Sequence, residues 1–353
     1  MKSEADLPFV SIVIINYNGM RFLKDCLESV LRTDYPREKL EIIIVDNAST
    51  DNSVNYIQKH FPEVKLVKLS RNLGFGYGAN IGASKSRGDL IAFLNNDVIV
   101  DKRWLRELVN VIIKNRDAAI VGSRVLGFYP CKKMREYIKI PILHILGGMT
   151  EVSIETEESK KDFIYVGTIY GAAFLIKRSV FEELGGFDPT YFMYSDEVDL
   201  CMRALLRGYM VAYCLRSIVY HFGSGTAGRT LDTNKDPLYT RISSPLRAYF
   251  GNRNSLFNIV KNLSTKNMLV GLVLSGVYSI MLIVLSPSRY ESKLLLYSWI
   301  SFFKKMKKFL IKRFYIQSSR IRSDEWLIKN RLLISFNELL KIFINQMRSY
   351  NHF

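Results

Sequence analysis

The sequence predicts an α/β fold: a mostly parallel, Rossmann-like open sheet with flanking helices, followed by a basic helical C-terminal region. Three observations carry this. Short β-branched apolar runs alternate with segments of helical periodicity between residues 9 and 94, and each run ends in polar residues. Charge is unevenly distributed. Residues 241–353 hold 19 Lys+Arg against 4 Asp+Glu, which is +15 of the chain's +17, and residues 1–240 hold 31 against 29. Alternating strands and helices at this spacing imply parallel strands, and ligands of such sheets bind beyond the carboxyl ends of the strands.

The first run, residues 9–15, is rich in Val and Ile and stops at Asn16-Tyr17-Asn18-Gly19, as a strand buried on both faces does when it enters a loop. Phe22, Leu23, Cys26, Leu27, Val30 and Leu31 then share one helical face. Residues 42–45 form a second strand, ending at Asp46-Asn47-Ala48-Ser49-Thr50-Asp51, from which a short helix starts. A third strand covers 64–69. A fourth, 90–94, ends in Asn95-Asn96-Asp97. Asn16, Asn18, Asp46 and Asp97 therefore line one rim. A single acid there is often only a helix cap, but several polar ends side by side point to a ligand. Gly74, Gly76 and Gly78 follow the third strand rather than the first, which disfavours a dinucleotide fingerprint. They allow either close backbone approach to a ligand or packing of a helix on the sheet.

Patterning weakens from 127 to 162 and returns at 164–177, where Gly171-Ala172-Ala173 leaves room for a substrate or a neighbouring helix. A turn at 185–189 leads to Tyr194-Ser195-Asp196-Glu197-Val198-Asp199. Leu200, Ala204 and Leu205 recur behind these acids at helical spacing before Gly208. Carboxylates at a helix N-terminus are stabilised as anions, which suits a group that accepts a proton near neutral pH. Asp196 as N-cap, with Asp199 reaching back as in a capping box, is the plainer reading of those two. Glu197, at the first helical position, has no such duty. Strands at 210–213 and 218–220 come next, and His221 opens Phe222-Gly223-Ser224-Gly225-Thr226. A lone His after a strand is more often an ordinary surface or core residue. As a ligand beside carboxylates it would suit Mn2+ better than Mg2+.

Cys26, Cys131, Cys201 and Cys214 are widely spaced and read as reduced, buried thiols. Residues 1–6 lack the apolar centre of a signal peptide, so the catalytic part is expected in the cytoplasm.

Seven stretches in order resemble the family 2 glycosyltransferases, and particularly their rhamnosyltransferase-like members, over about residues 8–230. They are residues 10–18, 45–51, Asn72-Leu73-Gly74-Phe75-Gly76, Leu94-Asn95-Asn96-Asp97, Gly185-Gly186-Phe187-Asp188, Asp196-Glu197-Val198-Asp199-Leu200-Cys201-Met202-Arg203, and His221. The resemblance implies the GT-A fold. It also implies inverting transfer of a sugar from a dTDP-, UDP- or GDP-sugar to a glycan acceptor in cell-surface polysaccharide assembly. Asp46 would contact the nucleotide base with Asn16 and Asn18 beside the nucleoside, and Asn72, Gly74, Asn95 and Asn96 would belong to the same nucleotide site. Asn95-x-Asp97 stands where the family has a metal-binding Asp-x-Asp, with a neutral residue in place of the first acid. Asp97 would then be the main acidic ligand of a divalent ion, Mn2+ or Mg2+, and His221 would complete its shell. Glu197 falls where the catalytic base stands, although the familiar order is Glu-Asp, and Asp196 is the second candidate. A non-catalytic sugar-nucleotide-binding or scaffolding protein of the same fold is the alternative, against which the joint presence of Asp97, Glu197 and His221 argues.

Residues 1–240 are thus expected as the catalytic domain and 241–353 as a basic, apolar helical region. Residues 268–285 form an uncharged run of 18, at the lower edge of what spans a ~30 Å hydrocarbon core. A span would leave 14 Lys+Arg against 4 Asp+Glu beyond it, in residues 289–353, opposing the positive-inside tendency. Residues 304–313 mix lysines and apolar residues as an interfacial helix does on anionic lipid. Monotopic attachment to the cytoplasmic face of the membrane, near a lipid-linked glycan acceptor, is therefore expected over a span. A soluble helical subdomain or an oligomer interface is the plain alternative. No nucleic-acid motif accompanies the charge, so nucleic acid is not expected as a partner.

Overall fold

The computed structural model describes residues 6–127, 138–154, 160–223, 245–285 and 289–350. Strands β1 (Val10–Asn16), β2 (Leu40–Asp46), β3 (Lys65–Lys68) and β4 (Leu90–Asn95) lie parallel in the order β3-β2-β1-β4. Alternate side chains of a strand leave opposite faces. Val13, Ile15, Ile43, Val45, Ile91 and Phe93 accordingly enter one core, and Ile12, Ile14, Ile42, Ile44, Ala92 and Leu94 the other. Helices α1 (Met20–Leu31), α2 (Ser53–His60) and α4 (Trp104–Lys114) cover the second face, and α3 (Phe75–Ser84) covers the first.

Beyond β4 the sheet turns mixed. β10 (Ala173–Lys177) runs antiparallel between β4 and β6 (Ala118–Gly127), and β11 (Met210–His221) is parallel to β6 and antiparallel to both β5 (Val98–Val100) and β9 (Phe163–Tyr165). A hairpin of β7 (Ile138–Leu143) and β8 (Met149–Ile154) stands apart. The segment expected over 164–177 thus divides between two strands in different places. Conversely, the strands expected at 210–213 and 218–220 are one, with a register shift between Cys214 and Ile218. Buried Ser217 sits at that irregularity, and its hydroxyl donates to the Trp104 carbonyl of α4 at 2.8 Å, which satisfies the buried hydroxyl and ties the strand to the helix.

The glycines of α3 serve packing. A Cβ on Gly82 would lie 2.3 Å from Val13 Cγ1, and one on Gly78 3.4 Å from Ile15 Cγ2. Gly74 has φ 85° and a Cβ there would lie 2.2 Å from the Phe192 carbonyl oxygen, a place only glycine fills without strain. Close packing of α3 on the sheet, and of the turn before it on the loop at Phe192, is what these glycines allow.

Helix α5 (Arg178–Glu183) and the acidic helix α6 (Asp196–Leu206) join the first core. So do helices past a π-helical turn (Arg247–Gly251): α7 (Asn252–Asn262), α8 (Thr265–Leu285), α9 (Arg289–Ser318) and α10 (Asp324–Lys329), with α11 (Phe336–Tyr350) closing the chain's described part. Phe257 of α7 stacks on Phe309 of α9 with ring centroids 3.7 Å apart, in the core that holds Val13 and Phe93. The division expected at 240–241 lies outside the described residues, as do Cys131 and Ser224-Gly225-Thr226; Cys26, Cys201 and Cys214 are buried free thiols. Helix α8 is unlike the core helices. Its stretch Thr265–Val284 has mean hydropathy 2.1 and only 22% of it is buried. Val273, Val277, Ile280 and Val284 form a stripe at helical spacing, 61–74% exposed. On α9, Phe303, Leu310 and Phe314 are exposed as well. Apolar surface on this scale marks an interaction face.

Gly82→Ala should remove the ~1 kcal/mol helix penalty of glycine yet push a methyl group into Val13. Overpacking of ~1–3 kcal/mol should win, so urea unfolding is expected to show a net loss of stability.

Candidate active site

The register sets Asn16 opposite Asp46 and Asn95 opposite Ile15, so three strand ends finish nearly level. Asn16 is fully buried. Its amide donates to Asp46 Oδ1 at 2.9 Å, Ser49 Oγ at 3.2 Å and Ser53 Oγ at 3.0 Å, while its Oδ1 accepts from Asn96 Nδ2 at 2.8 Å. Asp46 also accepts the Ser49 N–H at 3.0 Å and hydroxyl at 2.6 Å. An amide offers a donor and an acceptor side by side, which is what joining three strand ends requires. Asn16, Asp46 and Asn96 are therefore a floor beneath the rim. Above it, exposed Asn18 at φ 49° accepts the Thr50 N–H at 2.8 Å, tying the loop after β1 to the loop after β2. Asn72 Oδ1 accepts the Gly74 N–H at 2.9 Å and fixes the turn into α3. Asn95 is half-buried at the end of β4.

Asp97 and His221, far apart in sequence, meet. Asp97 occupies the turn between β4 and β5, His221 ends β11 opposite Val98, and Nε2 lies 3.1 Å from Oδ1. No group of three or more His, Cys, Asp or Glu suited to a metal occurs among the described residues. The pair fits a divalent ion only as a partial shell, which a diphosphate's oxygens would have to complete.

The acidic helix begins one residue earlier than expected. Its N-cap is Ser195, left-handed at φ 61°, and no side chain caps it. The capping reading of Asp196 and Asp199 therefore fails, and Glu197 stands second rather than first. Asp199 instead lies in the interior, 2.8 Å from Arg203 Nη2 and 2.7 Å from Lys261 Nζ, and accepts from Asn262 Nδ2 at 2.9 Å. Burial opposes its ionisation, but Arg203 and Lys261 hold it below the usual carboxylate range.

Asp196 and Glu197 differ. Asp196 is buried and its Oδ1 has no hydrogen-bond partner among the described residues. Burial, then the charges of Glu197, Asp199 and Asp188, push its pKa well above the usual range, with Arg253 opposing. It is held neutral. Glu197 lies half-buried against Gly171, where an added Cβ would stand 3.3 Å from its carboxyl carbon. The room left by the small residues at 171–173 is thus taken by the neighbouring helix's carboxyl. Burial raises the Glu197 pKa to about 7, its own N–H and Arg247 opposing.

The loop before α6 is strained and clamped. Phe192, Tyr194 and Ser195 take φ of 69°, 67° and 61°, each costing a non-glycine residue ~1–2 kcal/mol. Asn254 Nδ2 of α7 faces the carbonyls of Tyr191, Met193 and Tyr194 at 3.1, 2.8 and 2.8 Å, and Arg253 Nη2 donates to the Tyr191 carbonyl at 2.8 Å. The Tyr191 hydroxyl donates to Asn258 Oδ1 at 2.6 Å. Lys261 bridges Asp188 at 3.1 Å and Asp199 at 2.7 Å. Sequence reasoning does not reach these α7 residues. Their trace in the sequence is Asn254, Asn258 and Asn262, asparagines at four-residue spacing along one helix.

Lys261→Met should leave two buried carboxylates short of a cation and cost ~3–5 kcal/mol in chemical denaturation. Burial also opposes ionisation of Asp188, yet Lys261 and Lys312 hold it below its ordinary range. The stability from both aspartates is therefore complete above the unfolded carboxylate pKa and should be lost as pH falls below about 4.

Residues 11–185 match the family model described as Glycosyl transferase family 2. The O-antigen biosynthesis protein RfbC of Myxococcus xanthus is 27% identical over 257 residues, 69% of this chain and 19% of that protein. Glycosyltransferase AglE of Haloferax volcanii is 24% identical over 212 residues, 59% of this chain and 64% of that protein. The N-acetylglucosaminyl-diphospho-decaprenol L-rhamnosyltransferase of Mycobacterium tuberculosis is 26% identical over 247 residues, 62% and 77% of the two chains. The chain thus spans less than two thirds of the length of the first two relatives. Among solved structures, S. aureus TarS 1-349 in complex with UDP-GlcNAc gives a TM-score of 0.55 at 14% identity, covering 88% of this chain and 87% of that one. The mannosyltransferase PcManGT from Pyrobaculum calidifontis, in complex with GDP-Man and Mn2+, gives 0.53 at 16% identity, covering 90% and 88%. The fold is GT-A. With the match running from β1 through α5 of that sheet, the chain belongs to glycosyl transferase family 2.

Proposed function

We propose that the protein moves one sugar from a nucleotide-sugar donor to a lipid-linked glycan acceptor, at the cytoplasmic face of the membrane, by a single inverting displacement. The observation that carries this is the Glu197 carboxyl, poised at about 7 at the mouth of α6. A base works best with its pKa near the working pH. Among the described residues the Glu197 carboxyl has no ion pair, so its burial serves no salt bridge that would explain it structurally. Asp196 is buried where Glu197 is only half-buried, so the role falls to Glu197. The acceptor hydroxyl attacks the anomeric carbon opposite the nucleoside diphosphate, its proton passes to Glu197, and the diphosphate departs. Asp46, Asn16 and Asn96 shape the nucleoside pocket from below, and Asn18, Asn72, Gly74 and Asn95 shape its wall.

Asp97 and His221 would hold a divalent ion, Mn2+ or Mg2+, which when bound offsets charge on the leaving diphosphate. The name of the mycobacterial relative supports a diphospho-lipid acceptor and makes rhamnose the first donor sugar to try. The exposed apolar stripe of α8 supports attachment to a membrane surface.

Glu197→Gln should lower kcat by ~10²–10⁴ while nucleotide binding persists; full activity in that variant would exclude Glu197 as the base. Wild-type activity should rise with pH through about 7 as Glu197 ionises. Its folded pKa lies above its unfolded one, so its neutral form favours folding in acid and that stability is lost as pH rises toward 7. Glu197→Gln should therefore raise the melting temperature in mild alkali and leave it unchanged in acid. In a thermal-shift panel of UDP, dTDP and GDP, a nucleotide at 100 times its Kd should stabilise the wild type by ~2.7 kcal/mol. Asp97→Ala should lose the part of that shift that depends on Mn2+.

A further inference from the structure

A cavity of about 530 Å³ opens between the loop before α6, the π-helical turn and α9. Four cations line it, Arg253, Lys305, Lys308 and Lys312, together with the rings of Phe192 and Phe250. The three lysines fall on one face of α9. The anions present do not balance them. Asp188 is shared between Lys312 and Lys261, and Lys305 and Lys308 have no ion pair among the described residues. Burial, then the neighbouring charges of Arg253 and Lys308, lower the Lys305 pKa. An incoming anion would relieve that repulsion.

The cavity lies against the loop that leads into α6. Its wall includes Phe192, four residues before Asp196, and the Arg253 charge is felt at Asp196. Its apolar part suits a lipid rather than a free ion. Phe192 and Phe250 stack with centroids 5.2 Å apart, Arg253 lies 4.7 Å from the Phe250 ring centre, and Phe303, two residues before Lys305, is 61% exposed. We propose that this cavity holds the phosphate or diphosphate of the acceptor's lipid carrier, with the carrier's chain leaving along the exposed apolar faces of α8 and α9. The proposal rests on the transferase reading above and gives that reading its acceptor site.

The test uses the full chain, as wild type and as Lys305→Glu/Lys308→Glu. Binding of farnesyl diphosphate is measured directly, then in competition with inorganic pyrophosphate and with phosphatidylcholine–phosphatidylglycerol vesicles. Farnesyl diphosphate should bind the variant about tenfold more weakly or worse, ~1.4 kcal/mol, while the UDP and Mn2+ thermal shift stays as in the wild type. Equal binding to both proteins would overturn the proposal. Pyrophosphate binding as tightly as farnesyl diphosphate would make this a free-phosphate site, and vesicles competing as well would make it a general anionic-lipid contact; either result removes the carrier. If charge reversal prevents folding, Lys305→Gln/Lys308→Gln reads the same difference. A wild type that binds farnesyl diphosphate but no nucleoside diphosphate would sink the transferase reading and not the cavity.

Discussion

The active-site region depends on one buried cation. Lys261 is 2% exposed and lies between Asp188, at the start of the loop, and Asp199, on the helix at the loop's far end. Charges removed from water are costly unless paired and hydrogen-bonded, and here Arg203, Lys312, Asn262 and Asn258 complete the network. With both ends of the segment pinned, its three left-handed residues have no cheaper conformation available. The loop's geometry in turn leaves Asp196 buried and Glu197 half-buried, and burial lifts both carboxyls above the usual range.

The parallel half of the sheet is legible in the sequence because its strands are buried on both faces. An uninterrupted Val and Ile run such as 12–15 ending in asparagine admits few other readings. The antiparallel half is less so. β10 reads like any buried strand, and nothing local says that it runs the opposite way between β4 and β6, since direction is decided by where the chain comes from. The single strand β11 reads as two because its bulge at Ser217 interrupts the apolar pattern without ending the ladder.

Asn16, Asp46 and Asn95 end their strands where the apolar runs of the sequence stop, and Asp97 and His221 lie in contact. Asp196 and Asp199 are where sequence reasoning goes wrong. Local capping rules describe a helix start in isolation, but this start is held by α7, whose Asn254 lies 60 residues from Tyr194 in sequence. Contacts at that separation leave no local pattern at either partner alone. Asn254, Asn258 and Asn262 show periodicity only once the helix is known to be buried on that face.

A shared sheet with a separate helical tail invites treating the tail as an exchangeable module. The asparagine stripe of α7 argues otherwise. It dictates the backbone course of the segment that presents Glu197, the proposed base, so the tail takes part in setting the geometry of the proposed site. Chimeras that join this sheet to a relative's tail would inherit that relative's loop shape along with its mode of attachment. Acceptor choice and catalytic competence would then be expected to travel together in such exchanges.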